Sequence, residues 1–213
     1  MNKHIYILSG LGADERAFQK LDFSGHTVTF INWITPLHKE TIESYSSRLL
    51  SQIETTKPTL VGLSFGGIVA VEIAKQIETE NIILIASAKT KNEIPFYFRL
   101  AGKINLEKLL PTKFLKRANW LTNWFFGVSS NDDKELLSKI LVDSDPAFMK
   151  WAIDTVVGWS NNTKLDNIKH IHGSADRIFP ICFVDYNVKV NGGGHFMTIN
   201  KHQELTKLIL QDV

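Results

Sequence analysis

Cysteine is nearly absent: Cys182 is the single one in 213 residues. It can form no intramolecular disulfide and has no neighbours at metal-ligand spacing, so a disulfide scaffold and a zinc ribbon are excluded and a reducing compartment is expected. An excess of charge is missing too. Lys and Arg number 24 against 22 Asp and Glu, a formal net charge of +2, too balanced to make nucleic acid or an anionic membrane the main partner. Long hydrophobic runs are lacking. The first apolar run, Ile5-Tyr6-Ile7-Leu8, starts after four residues and is too short for a signal-peptide core or a membrane span, so a cytoplasmic location is expected. Internal repeats, low-complexity tracts and linkers are absent as well, which leaves residues 1–213 as one domain, long enough to bury a full core.

What is present is ordinary in bulk and informative in order. Hydrophobic residues make up 44% and charged residues 22%, which excludes a disordered chain, a collagen-like chain and a coiled-coil rod. Short β-branched or apolar runs end in small or polar turn residues at Ile5–Leu8, Val28–Ile31, Thr59–Leu63, Ile82–Ala86, Lys169–His172 and Val188–Val190, predicting six strands. Helical patterns fall between them at Ile42–Ile53, Ile68–Ile77 and Ala147–Val157, with a last helix from about Lys201 to Leu210. Strands alternating with helices predict an α/β fold, a mostly parallel sheet with helices on both faces.

One segment breaks the rhythm. Residues 90–160 separate the fourth and fifth strands, read as helical, and are interrupted by Pro95, Pro111, Gly127 and Pro146. They hold 11 of the 22 Phe, Trp and Tyr residues, and an inserted helical cap is expected there. Most of its aromatics read as the insertion's own core, with some left to line a cleft.

The chemistry concentrates at strand ends. Gly62-Leu63-Ser64-Phe65-Gly66 reads G-x-S-x-G between a strand and a helix. A strand that turns abruptly into a helix exposes its middle residue, and the flanking glycines leave room for the turn. A serine hydroxyl needs a base to become a nucleophile, and a histidine held by a carboxylate is the usual device. Asp176 lies in the turn after the fifth strand, and His195 follows Gly192-Gly193-Gly194 after the sixth. In a parallel sheet the carboxyl ends share one edge, so Ser64, Asp176 and His195 can converge.

A nucleophile elbow followed by acid and base in the order Ser, Asp, His resembles the α/β-hydrolase superfamily, on the branch of small capped esterases and thioesterases that includes pimeloyl-carrier-protein methyl esterases. The resemblance covers nearly the whole chain. It implies Ser64 as nucleophile, His195 as base, Asp176 as its orienting acid, and the backbone N–H groups of Leu11 and Phe65 as oxyanion donors. It implies a small-molecule ester or thioester substrate and no metal or organic cofactor. Three departures stand out: Ser9 where the family has histidine, six strands without the two leading antiparallel ones, and room for only about two helical turns between Pro180 and Val188.

Competing readings of single motifs are weaker. Gly10-Leu11-Gly12 resembles part of a dinucleotide fingerprint, but Glu15 occupies the third glycine position. His170 and His172, two apart on a strand, read as buried structural histidines rather than metal ligands. Cys182 has no elbow around it. The glycine run before His195 reads as a flexible approach. Arg99, Lys103, Lys108, Lys113, Lys116 and Arg117 against Glu107 give a local +5, either a solvated face or a dock for an anionic acyl carrier. Two other functions fit the same residues: a receptor for a small apolar ligand with little turnover, and cofactor-independent C–C hydrolysis or lyase chemistry.

Overall fold

The computed structural model describes residues 3–104, 118–211 and 213. Six strands form one sheet: β1 (His4–Leu8), β2 (Thr27–Phe30), β3 (Thr59–Leu63), β4 (Ile82–Ile85), β5 (Ile168–Gly173) and β6 (Val188–Val190). All neighbouring pairs are parallel, in the order β2-β1-β3-β4-β5-β6. The chain therefore runs outward from β1 to β2, then returns to start β3 on the other side of β1. That reversal makes a crevice at the carboxyl ends of β1 and β3, where ligands of open α/β sheets bind.

The strands form where β-branched side chains can be buried on both faces of a parallel sheet. Alternate residues face opposite ways. Ile5, Ile7, Val61, Leu63, Ile83 and Ile85 belong to one apolar cluster, closed by Leu205 and Ile209 of a helix at His202–Leu210. Tyr6, Leu8, Leu60, Ile82 and Leu84 belong to the other, covered by α1 (Ile42–Leu49) and α2 (Phe65–Ala74). The period of two thus divides one sheet between two cores.

The observed boundaries differ from the sequence reading by a few residues for local reasons. β4 stops at Ile85 because Ala86 takes a left-handed φ of 47°. The helix read from Ile68 begins at Phe65, directly after Ser64, and the one read to Ile53 ends at Leu49 before a short 3-10 turn. Between β5 and β6 only a 3-10 turn at Ile181–Phe183 is present. The Asp176 turn and Pro180 consume the residues that a longer crossover helix would use.

Among the described residues, four further α-helices lie between β4 and β5: α3 (Phe96–Lys103), α4 (Trp120–Phe126), α5 (Asn131–Asp143) and α6 (Pro146–Gly158). Their ends follow the sequence punctuation. Asn119, Ser130 and Asp145 cap the amino ends of α4, α5 and α6, and Gly127 ends α4 at φ 70°. The two ends of this insertion are fastened together by the Asn161 side chain, which donates to the Lys89 carbonyl at 2.9 Å, and its carboxyl end is tied to α2 by the Trp159 indole, which donates to the buried Glu72 carboxylate at 2.8 Å. Two short helices complete the chain, α7 (Met197–Asn200) and α8 (His202–Leu210). Among the described residues, no helix is long and apolar enough to cross a membrane.

Candidate active site

Ser64 occupies the turn between β3 and α2 with φ 53° and ψ −119°. A positive φ on a residue with a Cβ is strained, and it survives here because the surroundings leave no other path. A Cβ on Gly66 would lie 2.2 Å from the Leu8 carbonyl oxygen and 2.3 Å from that of Ser9, and one on Gly62 would lie 2.5 Å from the Gly67 Cα. Only glycine lets β3, the turn and the end of β1 pack this closely. The Ser87 hydroxyl donates to the Ser64 carbonyl at 2.6 Å, a brace from the loop after β4.

His195 stands between the serine and a carboxylate. Its Nε2 lies 2.8 Å from Ser64 Oγ and its Nδ1 lies 2.9 Å from Asp176 Oδ2. A carboxylate only accepts, so Nδ1 carries the proton and Nε2 presents a lone pair to the serine hydroxyl. The other carboxylate oxygen, Oδ1, accepts the backbone N–H groups of Ile178 and Phe179, each at 2.9 Å. Asp176 and His195 are both buried, at 4% exposure each, while the serine is partly open. The structure thus brings together three residues separated by up to 131 positions.

Phe65 is the first residue of α2, so its N–H has no partner in the helix ladder and points outward at the positive end of the helix dipole. Leu11 follows Gly10, whose hypothetical Cβ would lie 3.7 Å from the Ser64 Cβ. Both positions flank the serine. The substitution of Ser9 for a histidine leaves a buried serine at the end of β1.

The insertion reaches the same edge. Arg16, beyond the Leu11 loop, pairs with Asp14 and with Asp143 of α5, at 2.7 and 2.8 Å. The Ser144 hydroxyl donates to the Gly12 carbonyl. Phe126 of α4 places its ring 5.6 Å from that of His195, with Phe179 at 5.8 Å on another side. Sequence reading did not find Ser87 or Ser144, and it counted Phe126 only among the aromatics of residues 90–160, because nothing local marks a contact made across the fold. The glycine run before His195 also differs from expectation. A Cβ on Gly193 would lie 2.8 Å from the Met197 sulfur and one on Gly194 would lie 2.9 Å from the Gly127 Cα, so the run permits close packing rather than a loose approach.

Among the described residues the aromatics of the 90–160 segment divide evenly rather than forming mostly core. Phe148 and Trp159 are buried, and Phe98, Phe126 and Trp151 are partly so, while Phe96, Tyr97, Trp120, Trp124 and Phe125 are exposed. Phe114 lies outside the described residues, as do Glu107, Lys108, Lys113, Lys116 and Arg117 of the basic stretch. Two surface clefts, one beside Lys57 and Gln76 and one beside Trp120 and Trp124, are lined by none of Ser64, Asp176 and His195. Cys182 is exposed. Among the described residues, no group of three or more His, Cys, Asp or Glu side chains is arranged to hold a metal ion.

No protein-family model matches the sequence, and no curated protein matches it. Solved structures do match in shape. A bromoperoxidase from Bacillus anthracis superposes with a TM-score of 0.69 at 17% identity, covering 100% of this chain and 92% of its own. An esterase from Exiguobacterium antarcticum gives 0.70 at 14% identity, with 99% and 91% covered. A thermophilic esterase from Thermogutta terrifontis gives 0.72 at 14% identity, with 99% and 89% covered. The six-stranded parallel sheet and these likenesses show the α/β-hydrolase fold.

Proposed function

We propose that this protein is a serine hydrolase that cleaves a carboxylic ester or thioester with an apolar portion through an acyl-enzyme on Ser64. The observation that carries this reading is the position of His195, bonded at 2.8 Å to Ser64 and at 2.9 Å to Asp176, with its tautomer set for taking the serine proton. Ser64 Oγ attacks the carbonyl carbon as its proton moves to Nε2, and the carbonyl oxygen becomes an oxyanion facing the N–H groups of Leu11 and Phe65. The tetrahedral species collapses, and the alcohol or thiol departs with the Nε2 proton. Water then repeats the sequence and releases the acid, so the reaction calls for neither metal nor organic cofactor.

An apolar substrate portion is supported by the aromatic walls. The rings of Phe126 and Phe179 flank His195, whereas Phe65 and Phe148 are buried core packed against Trp33 and Trp151. In this reading residues 90–160 act as the cap over the acyl or alcohol group, and the basic stretch from Arg99 to Arg117 receives an anionic carrier when the acyl group is carrier-linked.

A fluorophosphonate probe tests the mechanism: labelling falls on Ser64 and disappears in Ser64→Ala. A panel of p-nitrophenyl esters tests the pocket, since each buried CH₂ contributes about 0.8 kcal/mol, so kcat/KM rises several-fold with chain length before falling when the space is full. Binding without turnover would favour the receptor function, and cleavage of a diketone but no ester would favour C–C hydrolysis.

A further inference from the structure

Behind Asp176 runs a polar string that the proposed reaction does not use. His170 and His172 are both fully buried, two apart on β5. His172 Nε2 lies 2.8 Å from the Phe179 carbonyl oxygen. A carbonyl only accepts, so this nitrogen carries a proton. In the neutral ring Nδ1 is then an acceptor, and His170 Nε2, 3.3 Å away, is its donor. His170 Nδ1 is left as a buried lone pair with no hydrogen-bond partner, 3.9 Å from Glu93 Oε2. Two contacts therefore bear on the tautomer of His172, the Phe179 carbonyl at Nε2 and His170 at Nδ1.

The charged and titratable groups facing these rings favour the neutral form. Burial lowers the pKa of His170 far below its ordinary value, and His172 and Lys89 lower it further against smaller raising contributions from the Asp185 and Ser87 backbone. Burial also lowers that of His172, opposed by Asp176 and the Phe179 carbonyl and assisted by His195. Glu93 is pushed upward by its own burial. Neutrality matters because His172 Nε2 is also 3.7 Å from Asp176 Oδ2, the oxygen that holds His195. A doubly protonated His172 would compete with His195 for that charge.

Phe179 joins the string to the site. Its N–H donates to Asp176 Oδ1, its carbonyl accepts from His172, and its ring centroid lies 5.8 Å from that of His195. We infer that His172 is a positioning residue for the Asp176–His195 pair, acting through the Phe179 turn, and that His170 holds His172 in the required tautomer. Only the kinetic arm of this inference rests on the hydrolase reading.

Nitrogen-15 NMR of histidine-labelled protein tests the tautomer without any turnover. At neutral pH His172 is expected uncharged with its proton on Nε2, and a proton on Nδ1 or a doubly protonated ring would overturn the inference. His172→Leu and His172→Gln then separate positioning from packing, because the glutamine amide restores an N–H near the Nε2 position. The leucine variant is expected to lower kcat about 10- to 100-fold with KM changed less than about twofold, and glutamine to recover most of the loss. In the leucine variant the Nδ1 proton resonance of His195 moves upfield as its bond to Asp176 lengthens. A folded His172→Leu protein with unchanged kcat and unchanged His195 resonance sinks the idea, as does glutamine performing no better than leucine. Should His172→Leu not fold, His170→Leu removes only the donor to Nδ1, and an unaltered His172 tautomer in that variant counts against the inference. Should the native protein show no Ser64-dependent turnover, the hydrolase reading fails, while the tautomer and the His195 resonance still decide this one.

Discussion

The helix that follows the serine and two helices of the 90–160 segment are built on opposite plans. Of the ten residues of α2, nine are buried, whereas α3 and α4 contain no buried residue and expose Phe96, Leu100, Trp120 and Trp124. Apart from Glu72, which Trp159 and Lys75 satisfy, α2 is apolar all round because sheet, α1 and insertion surround it. Its neighbours leave the serine only one conformation. α3 and α4 bear aromatics on an open surface, although their inner sides are held, α3 by Gly102 against Val157 and α4 by the Arg177 side chain and the Phe196 N–H on its carbonyls. The difference places geometric precision in the sheet edge and tolerance of change on the outer faces of α3 and α4.

The largest effect expected from that contrast is kinetic. Ser64→Ala or His195→Ala should lower ester hydrolysis by about 10³-fold or more, and Asp176→Asn should be similarly crippled because the imidazole loses its correct tautomer. Trp120→Ala should leave turnover of a small acetate ester nearly unchanged. Equal losses at Ser64 and Trp120 would abolish the distinction between the two regions.

Stability gives the next contrast. Ile68→Ala in α2 removes a fully buried side chain and is expected to cost about 2–5 kcal/mol in urea unfolding, whereas Trp120→Ala, 77% exposed, should stay within about 0.5 kcal/mol. A destabilised Trp120 variant would reveal that the cover has a packed core of its own.

Ser144 sits where the two regions meet. Ser144→Ala loses the hydroxyl that bonds to the Gly12 carbonyl and is expected to lower stability by about 1 kcal/mol. Its effect on kcat should exceed that on KM, because the Leu11 loop is part of the proposed oxyanion site. An effect on KM alone would assign Ser144 to substrate binding.

The smallest effect is a pH slope. His170 and His172 titrate near 6.5 in the unfolded chain and lower in the folded one. Below about 6.5 the unfolded state therefore binds more protons, so stability is fully present above that pH and declines as the pH falls toward the folded values. Glu93, raised by burial, contributes the opposite slope in both proteins being compared. Thermal melts of His170→Leu at two pH values spanning 6.5 should show a smaller loss on acidification than the native protein. Identical losses would mean that the ring at 170 is not the group that resists protonation.

The parts legible in the sequence are those governed by short-range rules. Strand Thr59–Leu63 was visible in its β-branched and apolar run, and the elbow in glycines where an added Cβ would lie only 2.2–2.6 Å from neighbouring backbone atoms. Pro146 and Gly127 marked real helix boundaries. The all-parallel order was only implied, because pairing depends on which crossover lengths close. Contacts such as Ser87 to Ser64 or Gly194 to Gly127 left no trace, since each joins residues whose local sequence would suit many surroundings. Packing also decided the fate of the cap aromatics, which no periodicity could assign to inside or outside.

The pairing of β4 with β5 has a bearing on how the protein reaches its native state. Ser64 and its brace Ser87 come from the chain before the insertion, Asp176 and His195 from the chain after it, and the register Leu84 with His170 joins the two halves. Closing so long a loop is entropically slow, although each doubling of length adds only about 0.6 kcal/mol. Reactivity of Ser64 toward a covalent probe would therefore appear during refolding only when that pairing is complete. A stopped-flow labelling trace should lag behind the fluorescence change of early collapse, making the serine a chemical clock for the last long-range step of folding.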